Sequence, residues 1–126
     1  MATVVLDTSV LIALLNPDDI HHEAAIKATA AKNQYAISAI SLSESLIAPF
    51  RKSRGLGEEH RERITKSMSR IVSLDEKIAV LGAELRAEKK LTLPDALISA
   101  TAYSLKAQLW SCDRGLVKSH SGAVLV

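Results

Sequence analysis

Four acidic residues stand where side-chain oxygens could do chemistry together: Asp7, Glu44, Asp95 and Asp113. Asp7 ends an apolar run, Thr3-Val4-Val5-Leu6, that reads as a buried strand. Glu44 lies one helical turn beyond a second strand candidate over 35–40, and Asp113 follows a third over 108–111. Asp95 follows no clear strand but opens the helix that leads into the third. In an open parallel sheet, sites form at the carboxyl ends of the strands, near a switch in strand order. Two carboxylates about 5 Å apart repel by roughly 3 kcal/mol at an effective dielectric near 20, so a convergent set calls for a cation or a proton. No Lys or Arg is close in sequence to Asp7 or Glu44. An all-oxygen donor set with room for water suits Mg²⁺ or Mn²⁺ rather than zinc, and such ions serve phosphoryl chemistry.

Each acid also has a local explanation. Asp7 suits an N-cap for a helix beginning at Thr8. Ser41-Leu42-Ser43-Glu44 fits a capping box in which Glu44 reaches back to the Ser41 amide. Asp95 in a first helical turn favours the helix dipole, and Asp113 in Asp-Arg-Gly suits a turn. Convergence is what separates the two accounts.

The elements that must position these residues alternate between short β-branched runs and helical patterns. Helices are expected over 8–15, ended by Asn16-Pro17, and over 20–32. A further helix is expected over 41–53, broken by Gly55-Leu56-Gly57, and then a basic amphipathic one over 58–70. Ile71-Val72 reads as a very short strand, and Ser73-Leu74-Asp75-Glu76 as a capping box opening a helix with Ile78, Leu81 and Leu85 on one face. Pro94 suits the first turn of a helix carrying Ala96, Leu97, Ala100 and Tyr103, and 123–126 reads as the last strand. This alternation implies an α/β domain, a parallel sheet covered by helices on both faces.

A chain of 126 residues is the size of one domain, expected to span 1–126. With 48% hydrophobic and 24% charged residues it reads as an ordinary soluble globule. Its 3% aromatic content argues against base-stacking platforms for single strands. One cysteine, Cys112, excludes a disulfide framework and a Cys-rich zinc site and points to a reducing compartment, the cytoplasm. No signal peptide or membrane span is expected. The net charge is +2, but residues 51–70 carry seven Lys/Arg against three Glu, a basic segment beside an otherwise acidic body. Such a segment steers a polyanion, or is simply a solvated helix face.

The four acids and their surroundings resemble a known family. The stretches Val5-Leu6-Asp7-Thr8-Ser9-Val10-Leu11, Ser41-Leu42-Ser43-Glu44, Leu93-Pro94-Asp95-Ala96-Leu97-Ile98-Ser99-Ala100-Thr101-Ala102 and Leu109-Trp110-Ser111-Cys112-Asp113 are similar to the motifs of PIN domains. The small stand-alone form resembles the VapC-like toxins of toxin–antitoxin pairs. The first and third stretches are the specific ones. Ser111 stands where the family usually has Thr, and Leu116 where it often has an aromatic residue.

The resemblance implies a three-layer α/β/α fold with a central parallel sheet and Mg²⁺- or Mn²⁺-dependent endoribonuclease activity. It matches Asp7, Glu44, Asp95 and Asp113 to the acidic quartet, with Asp7, Asp95 and Asp113 toward the metal and Glu44 positioning the metal or the attacking water. Ser9 and Ser111 match supporting hydroxyls. Arg51, Lys52, Arg54, Arg61, Arg63 and Arg114 become candidates for holding RNA phosphates, contacts that position a substrate without reading its sequence. The resemblance also implies a homodimer and a small antitoxin lying across the active-site groove. Leu14, Leu15, Leu46, Ile47 and Phe50 suit that groove, although core packing explains them equally well.

Other readings remain at this stage. A degenerate nuclease fold acting as a binding module fits the same chain, as does an RNA-processing nuclease that is no toxin. A phosphoacceptor domain would need an Asp after a central third strand, where only Asp75 is available. An aspartyl-phosphate phosphatase would want an Asp where Ser9 stands. Adjacent His21 and His22 do not face the same way on a helix, which favours helix-start packing over metal binding. Cys112 reads as a small strand-end filler, and Trp110 and Tyr103 as residues in or near the core.

Overall fold

The computed structural model describes residues 2–126. In chain order it contains β1 (Thr3–Leu6), α1 (Thr8–Leu15), α2 (His22–Ala28), β2 (Gln34–Ser38), α3 (Ala39–Lys52), α4 (Arg54–Ser67), β3 (Arg70–Val72), α5 (Glu76–Glu88), α6 (Leu93–Leu105), β4 (Gln108–Ser111), α7 (Arg114–Ser119) and β5 (Val124–Leu125). The strands form one parallel sheet in the order β3-β2-β1-β4-β5, with Val5 opposite both Ala36 and Leu109. The chain therefore steps outward from β1 to β2 and β3, then crosses back to place β4 on the other side of β1. The switch in strand order falls between β1 and β4.

Strand alternation divides the core into two. Val4, Leu6, Ile37 and Trp110 face Val10, Leu11, Ala25, Leu46 and Ile64, so α1 to α4 cover that side. Val5, Ala36, Val72 and Leu109 face Ile78, Leu85, Ala96, Ile98 and Leu116, so α5 to α7 cover the other. Because both faces are buried, the strands are continuous apolar runs. The result is the expected three-layer α/β/α arrangement. Residues Ala96 to Ala102 of α6 are all buried, and the small side chains of Ala96, Ser99, Ala100 and Ala102 let this helix lie close to its neighbours. Trp110 and Tyr103 lie in or near the core as expected: Trp110 meets the Tyr35 ring edge-on, and Tyr103 stacks on His120 at 4.0 Å.

Several boundaries differ from the sequence reading, each for a local reason. The β2 strand stops at Ser38, whose hydroxyl accepts from Ile40 N, so α3 starts earlier than expected and Ser41 lies inside it. Asp75 rather than Ser73 caps α5, accepting from Ile78 N. The helical pattern over 20–32 condenses to the seven residues of α2, and the expected last strand to the two residues of β5. Asp113 opens a short helix, α7, rather than an isolated turn.

Gly55 and Gly57 do not break the chain after α3. The break comes at Ser53, which caps α4, and both glycines lie within that helix. A Cβ on Gly57 would stand 2.1 Å from the Phe50 ring, so this glycine is what lets α3 and α4 close on each other. Gly57→Ala must push the ring aside and is expected to cost about 1–3 kcal/mol, measured by denaturant unfolding.

His120 is buried behind α6, with Nδ1 2.5 Å from Ser99 Oγ and its ring against Tyr103. Burial, and to a lesser degree the Lys89 ammonium, lower its pKa from 6.5 to about 4. The folded protein thus holds His120 neutral while the unfolded chain takes up its proton below pH 6.5. This contribution is complete above that pH and is lost progressively as pH falls toward 4. Between pH 7 and 4 the protein should lose about 2–3 kcal/mol more stability than its His120→Phe variant, compared by denaturant unfolding at each pH.

Candidate active site

The C-terminal ends of β1 and β4 lie side by side, and the link between them is Asp7. This carboxylate is 4% exposed. Its Oδ1 accepts from the Thr8 amide at 2.8 Å, so it does cap α1 as the local account anticipated. Its Oδ2 accepts from two hydroxyls at 2.7 Å, Ser9 from the start of α1 and Ser111 from the end of β4. Both serines take a backbone amide in return: Cys112 N donates to Ser9 Oγ at 3.0 Å and Asp113 N to Ser111 Oγ at 2.9 Å. Serine in place of threonine at 111 thus keeps the hydroxyl that matters. Burial pushes the Cys112 thiol pKa up, which keeps it a protonated filler beside the site.

Glu44 joins this corner through a residue the sequence reading did not single out. Thr8 Oγ1 donates to Glu44 Oε1 at 2.7 Å and lies 2.9 Å from Ser41 Oγ. Glu44 is therefore tied to the neighbouring helix across the site and does not reach back to the Ser41 amide as the capping-box pattern suggested. The signal available in sequence was the Asp-Thr-Ser order itself, three adjacent polar residues after an apolar strand.

Asp95 is the third residue of α6, half-buried beneath the Thr92 cap, whose hydroxyl accepts from Asp95 N. Its pKa is raised, first by desolvation and then by the negative charge of Asp7, with Asp113 and Glu44 adding in the same direction; Thr92 opposes them. All four acids therefore share one electrostatic neighbourhood, although they come from four separate stretches of chain. Asp113 is the most exposed and the most locally engaged, with Oδ1 accepting from Gly115 N and Leu116 N at the start of α7.

No basic side chain among the described residues forms an ion pair with these acids. Among the described residues the one side-chain ion pair is Arg61–Glu58, at 3.7 Å on the surface of α4. Arg51, Lys52, Arg54 and Arg114 are exposed, as are Arg61 and Arg63, and none pairs with the four acids. Of these, Lys52 shares a cleft with Glu44, and Arg51 lines a shallow groove with Ile47 and Phe50. Ile47 and Phe50 are 48% and 39% exposed, whereas Leu46 belongs to the core. No three His, Cys, Asp or Glu side chains among the described residues are already spaced to hold a metal ion. His21 and His22 lie at the start of α2, where His22 Nδ1 contacts Ala13 O at 2.6 Å.

This arrangement coincides with a family match. The PIN domain model matches residues 4–119. The chain belongs to the PIN domain family. No curated protein matches it. Among solved structures, it is similar to a toxin–antitoxin complex from Klebsiella pneumoniae at 28% identity, covering 96% of this chain and 95% of that one with a TM-score of 0.76. It is also similar to the sarcin–ricin-loop-cleaving toxin VapC20 of Mycobacterium tuberculosis, at 19% identity and 98% coverage of both chains, with a TM-score of 0.81. A third similar structure is the DNA-bound VapBC2 of Rickettsia felis, at 20% identity, 98% coverage of this chain, 97% of that one and a TM-score of 0.76. These neighbours are toxin–antitoxin PIN proteins, and the last two show the fold alone.

The accumulated negative charge makes a direct prediction. A group whose pKa is raised by folding destabilises the folded state once it is ionised, and Asp95 is ionised at neutral pH in the unfolded chain. In a chelator at pH 7, Asp95→Asn should raise the melting temperature by a few degrees, read by calorimetry. A lower melting temperature would mean that Asp95 is a net structural support rather than a strained charge.

Proposed function

We propose that this protein is a Mg²⁺- or Mn²⁺-dependent endoribonuclease and the toxin of a toxin–antitoxin pair. The observation that carries the reading is Asp95, half-buried and burdened by the charges of Asp7, Asp113 and Glu44, with no cationic side chain among the described residues paired to any of them. Membership of the PIN family and the likeness to the Klebsiella toxin–antitoxin complex support it.

The donor chemistry fits a hard divalent cation, since every group on offer is a carboxylate or hydroxyl oxygen. Asp7, Asp95 and Asp113 would hold the ion. Such an ion, when bound, lowers the pKa of water and polarises the phosphoryl group. The chain's own part is positioning. Ser9 and Ser111 fix Asp7 by its Oδ2, which leaves Oδ1 with spare acceptor capacity beside the Thr8 amide. Glu44, held through Thr8, orients the incoming water, and its carboxylate is placed to accept a proton. Asp113 retains Oδ2 while Oδ1 caps α7. Arg51, Lys52, Arg54 and Arg114 hold RNA phosphates around this acidic centre and offset its repulsion of a polyanion.

The partners follow the same reading: an RNA substrate, a cognate antitoxin and a second copy of the chain, in the cytoplasm. No described helix is long and apolar enough to cross a membrane. The exposed Ile47 and Phe50 suit a protein contact, with half-buried Leu14 and Leu15 nearer the core.

Purified protein should cleave single-stranded RNA only with Mg²⁺ or Mn²⁺, and Asp7→Asn or Asp95→Asn should each reduce the rate by at least about a hundredfold, as loss of several kcal/mol of transition-state stabilisation requires. Millimolar Mg²⁺ or Mn²⁺ should also raise the melting temperature of the wild type and leave that of Asp95→Asn nearly unchanged. Equal cleavage by wild type and both variants would sink the assignment. Metal binding without cleavage would favour the binding-module reading.

A further inference from the structure

Ser41 is a hydroxyl with no exposure to solvent. It is the third residue of α3, and the capping role its sequence context suggested belongs to Ser38. Alanine suits a buried helix position better, and a hydroxyl taken out of water is costly unless it is bonded. Ser41 Oγ lies 2.9 Å from Thr8 Oγ1, on a residue 33 positions earlier in the chain.

Counting protons sets the direction of these bonds. Thr8 has one hydroxyl proton and two neighbours, Ser41 Oγ at 2.9 Å and Glu44 Oε1 at 2.7 Å. A carboxylate oxygen only accepts, so the Thr8 proton goes to Glu44 and Ser41 donates to Thr8. The bonds form a directed chain that leaves α3 at Ser41, passes through Thr8 on α1 and returns to α3 at Glu44. Thr8 is also fixed through its backbone, whose amide donates to Asp7 Oδ1 at 2.8 Å. With Ser41 in place the Thr8 hydroxyl has a donor behind it and an acceptor ahead, which leaves it one orientation. Bonds linked in this way also polarise and strengthen one another. Among the described residues, Thr8 is the one donor bonded to the Glu44 carboxylate.

We propose that Ser41 is a positioning residue for RNA cleavage, acting on Glu44 through Thr8. The inference rests on the ribonuclease reading, in which Glu44 orients the attacking water, and adds to it the group that sets the aim of Glu44. Because Ser41 acts two bonds away from the water, its loss lowers kcat and leaves KM for RNA and the affinity for the cation as they were. A hydroxyl that only filled space in α3 would change stability without producing that split.

Ser41→Ala should lower kcat by about three- to tenfold at unchanged KM, as loss of one neutral hydrogen bond that orders a reacting group predicts. Thr8→Val keeps the shape and removes the hydroxyl, so kcat should fall by about tenfold or more, while Thr8→Ser should stay within about twofold of wild type. In the double variant, Ser41→Ala should add nothing to Thr8→Val, since its effect passes through that hydroxyl. The rise in melting temperature with millimolar Mn²⁺ should be the same in Ser41→Ala as in wild type. Independently of turnover, the Glu44 side-chain carboxyl ¹³C resonance should move in Ser41→Ala and in Thr8→Val, with no further movement in the double variant. Should Ser41→Ala fold poorly, Ser41→Cys keeps a weak donor in its place and should show a smaller loss of the same kind. An unchanged kcat, a loss that adds to that of Thr8→Val, or a smaller Mn²⁺ effect overturns the proposal even if Asp7→Asn abolishes cleavage. If wild type cleaves no RNA, the ribonuclease reading fails and takes the catalytic role of Ser41 with it, and the ¹³C shifts alone decide whether Ser41 orients Glu44.

Discussion

Asp7 is a carboxylate buried almost completely at the seam between the first and fourth strands, and it is kept there by three short hydrogen bonds from Thr8 N, Ser9 and Ser111. Burying a charge without such partners would cost far more than a typical domain's margin of stability. The partners come from both sides of the seam, so the same bonds that make the charge tolerable also align the ends of β1 and β4. Once those ends are aligned, Ser111 receives Asp113 N and sets the start of α7, while Ser9 receives Cys112 N. Thr8, one residue on, reaches Glu44 on α3. Three of the four acids are thus placed by one polar network.

Asp95 is placed differently, by packing. Its helix is buried along most of its length, and the small residues facing the sheet bring the helix start near the strand ends. The contact with α5 is close too, since a Cβ on Gly82 would lie 2.6 Å from Leu97 Cδ2. Desolvation and neighbouring charge then act together on Asp95, which is the condition that perturbed groups at functional sites share. The network fixes Asp7 in place, and the helix presses a second carboxylate toward it. Stability alone would not select that arrangement, whereas a cation-binding site would.

Much of the fold was legible because its strands are short apolar runs and its helices carry ordinary signals. Val4, Val5 and Leu6 between polar neighbours mark a strand buried on both faces, and Pro94 marks a helix start. Misplaced boundaries came from competing caps. Ser38 and Ser41 are both plausible starts for α3, and burial of Ser41 against Thr8 removes the latter from that role. The paired glycines of α4 read as a break because helix propensity disfavours them, but the Phe50 ring occupies the space a side chain on Gly57 would take, while Gly55 faces open space.

Residue types and apolar runs were enough to indicate the α/β alternation and four candidate acids, because these depend on local periodicity and on chemistry carried by single side chains, whereas Ser9 and Ser111 were singled out only by the resemblance to PIN-domain motifs. Which acids bond to what was decided only in three dimensions. The switch in strand order sets Asp7 beside Ser111, 104 positions apart, and the packing of α3 against α1 gives Glu44 to Thr8 rather than to its own backbone. Charge and burial act through distance in space, and the chain defines that distance only after the sheet has closed around β1.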